Sequence, residues 1–340
     1  MKVTISKPAV LQPGRYWLDR ESVLGSLMLA PAILYMVLLV GIPFVLAIVY
    51  SFSDVTIGDQ AIHFVGLKTF ERVVNDQTFR TSLRNTFVFT FVSQALVIVL
   101  GKILALVLVQ DFPGKWIVRF LIILPWATPI ALGALGWLWM LDSLYSSLDW
   151  ILRQMGLLGA NPHLIGILKP LDWLLRLLGQ PSLQGILGPA NHMYWLGEPK
   201  LAMGSIIAVQ VWRFLPLVTI ILLAGLTAIP QDVKDAVAID GVGYFRELFE
   251  VTIPLMLPIM VVATLFGVVF TFTDMTVVYI LTRGGPPPGN PTHVLASWAF
   301  FKGIEGGALA EGAAIAIFLF PVLLAITVLM LRMAARAEVD

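Results

Sequence analysis

The 340-residue chain has no cysteine. Disulfides, thiolate metal centres and cysteine nucleophiles are therefore excluded together. Charge is scarce as well: 13% of residues are Asp, Glu, Lys or Arg, where a soluble chain carries about 25%. With 22 basic and 21 acidic residues the formal net charge is +1, so no concentrated basic surface exists to hold nucleic-acid phosphates. The four histidines, His63, His163, His192 and His293, stand far apart without ligand spacing and read as ordinary loop histidines. A G-x-x-x-x-G-K-[ST] phosphate cradle is absent too. Gly101-Lys102 and Gly114-Lys115 lack both the upstream glycine and the following hydroxyl residue, so the chain does not bind ATP by that route.

What fills the sequence instead is hydrocarbon. The chain is 58% hydrophobic with mean hydropathy +0.89, which places it in a bilayer. A spanning helix needs about 20 apolar residues to cross about 30 Å. Six stretches qualify: Val23 to Tyr50, Asn85 to Val109, Arg119 to Leu141, Leu201 to Leu226, Pro254 to Leu281 and Ala310 to Leu331. Prolines within them (Pro31, Pro43, Pro125, Pro129, Pro216 and Pro321) are tolerable because neighbouring helices can satisfy freed carbonyls. The basic stretch Lys2 to Arg20 precedes an apolar run far longer than a secretory h-region, so it leads into an uncleaved first span. Six spans put both termini on one side. Ten Lys/Arg fall on each side, but at higher density on the side of the termini, so the termini are expected in the cytoplasm. The expected organisation is residues 1–80 for the N-terminus, first span and outer segment, 81–331 for a core of five further spans, and 332–340 for a tail.

Two polar excursions interrupt the spans. Residues 142–200 contain "LDWILRQMGLLG" and "LDWLLRLLGQP", an approximate repeat offset by 23 residues. Each copy sets Leu, Trp and Leu at helical spacing and Asp and Arg four apart. Two short amphipathic helices on the outer surface follow, serving either as a docking surface or as a packing cap over the outer mouth. The loop Thr282 to Pro291, "TRGGPPPGNP", is expected to be irregular. The second excursion, 231–250, carries seven charges between Asp232 and Glu250. Asp232 is a candidate N-cap, and Val233, Ala236 and Val237 form an apolar stripe. Gly241 and Gly243 allow a sharp turn, and Phe245, Leu248 and Phe249 form a second stripe leading into the fifth span. Such a helix–turn–helix either lies in a groove of a soluble partner or rests on headgroups.

Ionisable residues inside spans are functional candidates because they are costly there. Lys102, Arg213 and Asp274 are the three, facing the bundle interior, a pathway or, for the two cations, an interface reached by snorkelling. Asp274 is expected to make pathway or subunit-interface hydrogen bonds. Trp116, Trp137 and Trp139 read as interfacial anchors.

The stretch "DAVAIDGVGYFRELFEVTIPLMLP" resembles the E-A-A, three residues, G, nine residues, I-x-L-P signature of binding-protein-dependent ABC importer permeases. Asp235, Ala236 and Val237 stand at the E-A-A positions, Gly241 follows three residues later, and Val251-Thr252-Ile253-Pro254 ends the signature. Asp for Glu, Val for Ala, and Val and Ile for Ile and Leu are the departures. "FVGLKTFERVV", "LRNTFVFT", "ILPWATP", "VWRFLPLVTIILLAGLTAIP" and "YILTRGGP" are similar to sugar-type permeases of the maltose, glycerol-phosphate and trehalose kind. The resemblance implies an all-α membrane protein of six transmembrane helices in the type I (MetI-like) importer permease fold, with an extracytoplasmic helical insert at 142–200. It also implies a bacterial or archaeal plasma membrane and a non-catalytic translocation subunit. The implied partners are a second permease subunit, two ATPase subunits that bind ATP and Mg, and an external solute-binding protein. Coupling to the ATPase is implied for Asp235, Ala236, Val237, Asp240, Gly241, Gly243, Phe245, Ile253 and Pro254, with Asp235 contacting a basic residue of the ATPase. Since sugars are held by aromatic faces and hydroxyl-binding polar groups, Gln210, Trp212, Phe270, Asp274 and Tyr279 form a provisional substrate set. The implied cargo is an oligosaccharide, a polyol, a glycosyl-glycerol or a glycerol phosphate. Two other classes compete. A stand-alone secondary transporter calls for internal repeats, which the hydropathy does not display. A membrane enzyme calls for clustered catalytic groups, yet Asp274 is the sole acidic residue inside the spans.

Overall fold

The computed structural model describes residues 21–59, 61–159, 168–179, 182–183, 192–285 and 291–337, with backbone alone at 21–22 and 334–337. His163 and most of the Gly/Pro-rich loop after Gly285 lie outside them. Within the described residues the chain is helical, with one isolated bridge pairing Ser53 and Phe64. Five helices are long and apolar enough to cross a membrane: Val23–Ser51, Gln77–Val109, Pro199–Ala228, Tyr244–Thr273 and Leu309–Met333. A sixth crossing is a bent pair, Lys115–Ala127 and Ile130–Met140, at 96° to one another.

That bend corrects the continuous third span expected from hydropathy. Pro129 disfavours helical geometry at the residue before it. Thr128 accordingly sits extended at ψ 132°, and its hydroxyl donates to the Leu124 carbonyl at 2.8 Å. The fifth span differs in the same way. It starts ten residues early, at Tyr244, and stops at Thr273, where Asp274 turns extended before a short helix Thr276–Thr282 begins. The first span carries a wide π-helical turn, Val37–Gly41, two residues before Pro43. The ring of Pro43 and its missing N–H cannot enter a regular ladder.

Burial grades the spans. The fourth is central: Ile206, Val209, Phe214, Val218 and Leu222 are buried against Phe89, Val97 and Ala105 of the second and Met256 and Ala263 of the fifth. The first span buries none of its most apolar stretch and leans on the sixth, with Phe44 and Phe320 rings 5.7 Å apart. Beyond it, an extended strap fastens the first span to the start of the sixth: Ile57 N–H donates to the Gly307 carbonyl at 2.9 Å, and Ala310 N–H to the Val55 carbonyl at 3.0 Å. The Lys115 ammonium and the Arg119 guanidinium donate to the carbonyls of Val109 and Leu108, each at 3.1 Å. Two cations thus sit on the C-terminal end of the second span, where unpaired carbonyls favour them.

The excursion at 142–200 forms helices Ser147–Gln154 and Lys169–Leu177, one from each repeat. The expected i,i+4 pair is present in the second copy, where Arg176 Nε lies 2.9 Å from Asp172. In the first copy Asp149 is buried and accepts from Met193 N–H at 3.0 Å and Trp195 Nε1 at 2.8 Å. The histidines are not all ordinary: His293 is fully buried, its ring filling the space beside Gly284, its Nδ1 3.0 Å from Ser297 Oγ. Trp116 and Trp139 are exposed, as interfacial anchors would be. Trp137 is not, standing edge-on to Trp212 at 5.7 Å.

Candidate functional site

The excursion between the fourth and fifth spans is a hook. Its first helix, Gln231–Ile239, is capped by Pro230 rather than by Asp232, which lies in the first turn. Pro230 leads in with an extended backbone (ψ 144°), so the helix starts two residues earlier than the Asp pattern suggests. At its far end Gly241 adopts φ 63°. Val242 N–H reaches the Val237 carbonyl at 3.4 Å and Gly241 N–H the Ala238 carbonyl at 3.3 Å. These are the two bonds of a Schellman closure, which requires a left-handed residue at the Gly241 position. Gly243 needs no such freedom, being ordinarily extended at φ −68° and ψ 152°. The second helix runs from Tyr244 through a π-helical turn, Leu248–Thr252, into the fifth span, so hook and span are one continuous helix.

The hook turns a few side chains inward and most outward. Val233, Val237, Tyr244, Leu248 and Val251 line a cavity of about 300 Å³ closed above by Leu106, Val109, Leu226 and Ile229. Outside, Ile239 is 86% exposed, Phe245 74% and Phe249 64%. Asp235, Ala236 and Asp240 are exposed too, and Asp235 makes one surface bond, accepting from Gln231 Nε2 at 2.9 Å. Of the remaining signature residues, Ile253 is half-buried and Pro254 exposed at the start of the regular helix. Three large apolar side chains facing outward on a charged segment form a surface suited to a protein cleft.

The intramembrane polar residues fall into four groups. Deepest is a junction of three spans: Gln94 Nε2 and Gln210 Nε2 both donate to Thr271 Oγ1, at 3.0 and 3.1 Å, and all three residues are buried. Gln94 and Thr271 escaped notice in the sequence because they are uncharged, though a glutamine inside an apolar run is itself a signal. The Gln94 amide lies directly over Gly267, where a Cβ would collide with it. One turn outward, Asp274 meets Arg213 at 2.5 Å and accepts from Thr276 N–H at 2.8 Å, starting the next helix. Arg213 also lies 5.2 Å over the Phe214 ring. Asp274, expected to make pathway or subunit-interface hydrogen bonds, is ion-paired to Arg213 of the fourth span at the point where the fifth is interrupted. Phe270 stays half exposed 6.2 Å from Phe214, and Trp212 packs over Gly133. Tyr279 belongs to a separate outer cluster: its hydroxyl donates to Glu305, which Arg283 approaches at 3.4 Å. Lys102 is buried, its ammonium 2.6 Å from Met256 Sδ. The structure thus joins Gln210 to Asp274 through neighbouring turns of the fourth and fifth spans and leaves Tyr279 apart.

A family model described as "Binding-protein-dependent transport system inner membrane component" matches residues 97–338. The chain belongs to this family. Within it, the trehalose/maltose transport system permease protein MalF of Thermococcus litoralis is 30% identical over 92% of this chain and 94% of its own length. The sulfoquinovosyl glycerol transport system permease protein SmoG of Agrobacterium fabrum is 26% identical over 93% of this chain and 92% of its own. Among solved structures, one chain of a bacterial ABC transporter involved in the import of the acidic polysaccharide alginate superposes with TM-score 0.73 at 17% identity, covering 94% of this chain and 97% of that one. The match establishes the shared permease fold and, with the family, a multi-pass inner-membrane translocation component.

Proposed function

We propose that the chain is a permease subunit of an ATP-driven, binding-protein-dependent importer for a carbohydrate-type solute. The relatives named for trehalose/maltose, sulfoquinovosyl glycerol and, in Streptomyces coelicolor, diacetylchitobiose support that cargo class. In this reading the chain forms half of the pathway beside a second permease subunit, with both termini and the hook in the cytoplasm. Two ATPase subunits, which bind ATP and Mg, sit beneath, and a solute-binding protein delivers cargo from outside. Closure of the ATPase pair carries the hook with it. Because the hook is continuous with the fifth span, its displacement reaches Asp274 and the junction of Gln94, Gln210 and Thr271. Irregular backbone at membrane depth is tolerated where it is packed in protein or lines a cavity. The interruptions at Thr128–Pro129 and Asp274–Met275 therefore mark where the pathway narrows.

The observation that carries the reading is the exposed apolar face of the hook, locked in place by Gly241. A β-branched residue cannot hold the left-handed conformation without strain, whereas asparagine can. In the purified importer complex, Gly241→Val lowers transport and the ATPase stimulation by loaded binding protein more than tenfold, and Gly241→Asn retains most of both. Undiminished stimulation and transport in Gly241→Val would overturn coupling through the hook. Solute uptake by the chain purified without any ATPase would instead establish the rival reading, a stand-alone secondary transporter.

A further inference from the structure

We propose that the outer excursion is a membrane-lying device: its helices Ser147–Gln154 and Lys169–Leu177 rest in the interfacial layer of the lipid surface opposite the hook. A helix packed onto its own protein turns leucines inward and carboxylates outward. In the second helix the order is reversed, and in the first it is reversed at the carboxylate while Leu148 and Leu152 pack inward. In the second helix Asp172 is 7% exposed, while Trp173 is 66% and Leu177 66% exposed, with Leu171, Leu174 and Leu178 outward as well. In the first helix Asp149 is fully buried, and Trp150 and Ile151 are exposed. Both copies of Leu-Asp-Trp are therefore read alike. The aspartate is an internal anchor, bonded in the second copy to Leu183 N–H at 2.6 Å and in the first to Met193 and Trp195. The tryptophan next to it points away.

The outward face continues an exposed apolar surface of the third span. In the outer half of the third span Leu132, Leu135 and Trp139 lie on one helical face, all exposed. Leu144 and Tyr145, also exposed, follow at once, and the first insert helix begins two residues later. Each insert helix carries an arginine in its last turn, Arg153 and Arg176, whose exposed stems can cover apolar surface. Leucine, tryptophan and arginine in this arrangement suit a helix lying in the plane of the interface, where indoles concentrate. A water-soluble docking partner fits less well. It would leave this apolar face in water whenever it departed, whereas lipid is always there.

The cysteine-free chain permits a direct test. Spin labels on single cysteines at Leu174→Cys, Leu177→Cys, Lys169→Cys and Arg176→Cys are read in the assembled importer in lipid nanodiscs, the companion subunits carrying no reactive thiol. The expected result is several-fold greater collision with oxygen than with a water-soluble nickel chelate at Leu174 and Leu177. The reverse holds at Lys169 and Arg176, and neither ratio moves when the binding protein is added. Nickel access at the leucines equal to that at the two controls overturns the proposal. So does protection from both reagents, which would show another protein surface there, and so does an oxygen preference that appears only with the binding protein.

Discussion

The hook and the outer insert are both polar excursions from one apolar core, and they treat their carboxylates in opposite ways. The insert buries Asp149 and Asp172 and spends them on backbone and indole N–H groups of its own later residues. The hook leaves Asp232, Asp235, Asp240 and Glu250 exposed, and its pairs, Gln231–Asp235 at 2.9 Å and Arg246–Glu250 at 2.8 Å, lie on the surface. Surface pairs contribute about 0–1 kcal/mol each, whereas orphaning a buried donor costs about 1–3 kcal/mol. The insert therefore holds its own shape. The hook keeps its shape through one glycine closure and a thin apolar toe over a cavity, with its charges free to meet another molecule.

If that contrast is right, the largest stability effect falls on the insert. Asp149→Ala strands the Met193 N–H and the Trp195 indole together, a loss of about 2–4 kcal/mol from two orphaned donors. The expected outcome is a lower melting temperature and faster proteolysis within 142–200, while transport per folded complex changes less than twofold. Unchanged proteolysis would break the comparison at its root.

A second outer group sharpens it. Burial holds His293 neutral, its pKa pushed down to about 4 against the opposing pull of Glu305. A histidine depressed in the folded state contributes its full stability above the unfolded pKa of about 6.5 and loses it as pH falls toward 4. Between pH 7 and pH 5 the chain should lose about 2 kcal/mol through this group. His293→Gln, which cannot titrate, should flatten that acid limb in melting curves. An unaltered limb would assign the acid sensitivity elsewhere.

How much of this was legible in the sequence follows the range of the forces involved. The first, second, fourth and sixth spans were legible because about 20 apolar residues announce themselves locally. The interruptions at Thr128 and Asp274 were harder: Pro129 was visible, but whether a proline kinks a span or ends it depends on which neighbours take up the freed carbonyls. Gly241 was readable from its spacing, while the cap at Pro230 instead of Asp232 was a two-residue matter of approach geometry. The roles of Asp149 and Asp172 were hidden. The i,i+4 arginine supplied a sufficient local partner for each, and the N–H groups that Asp149 serves lie 44 and 46 residues away. The junction of Gln94, Gln210 and Thr271 joins residues up to 177 apart, so only Gln210 was singled out.

Asp172→Ala should have a smaller effect than Asp149→Ala, about 1–2 kcal/mol, because Asp172 serves one backbone donor and an arginine that reaches water unaided. Equal losses from the two substitutions would mean that the second helix is anchored as deeply as the first.

The smallest change in stability and the most telling one belongs to Asp235→Ala. Among the described residues its one hydrogen bond is a surface contact with Gln231, so melting of the permease subunit should move by less than about 0.5 kcal/mol. Under the proposed coupling the same carboxylate would meet a basic group of the ATPase, where a charged hydrogen bond contributes about 1.5–3 kcal/mol. Affinity for the ATPase subunits should therefore fall by about tenfold or more. A residue whose removal leaves its own fold intact and weakens a complex is one the fold did not need. Were Asp235→Ala instead to destabilise the isolated subunit as Asp172→Ala does, the hook would be a self-anchored structure like the insert, and its exposed charges would have no claim on a partner.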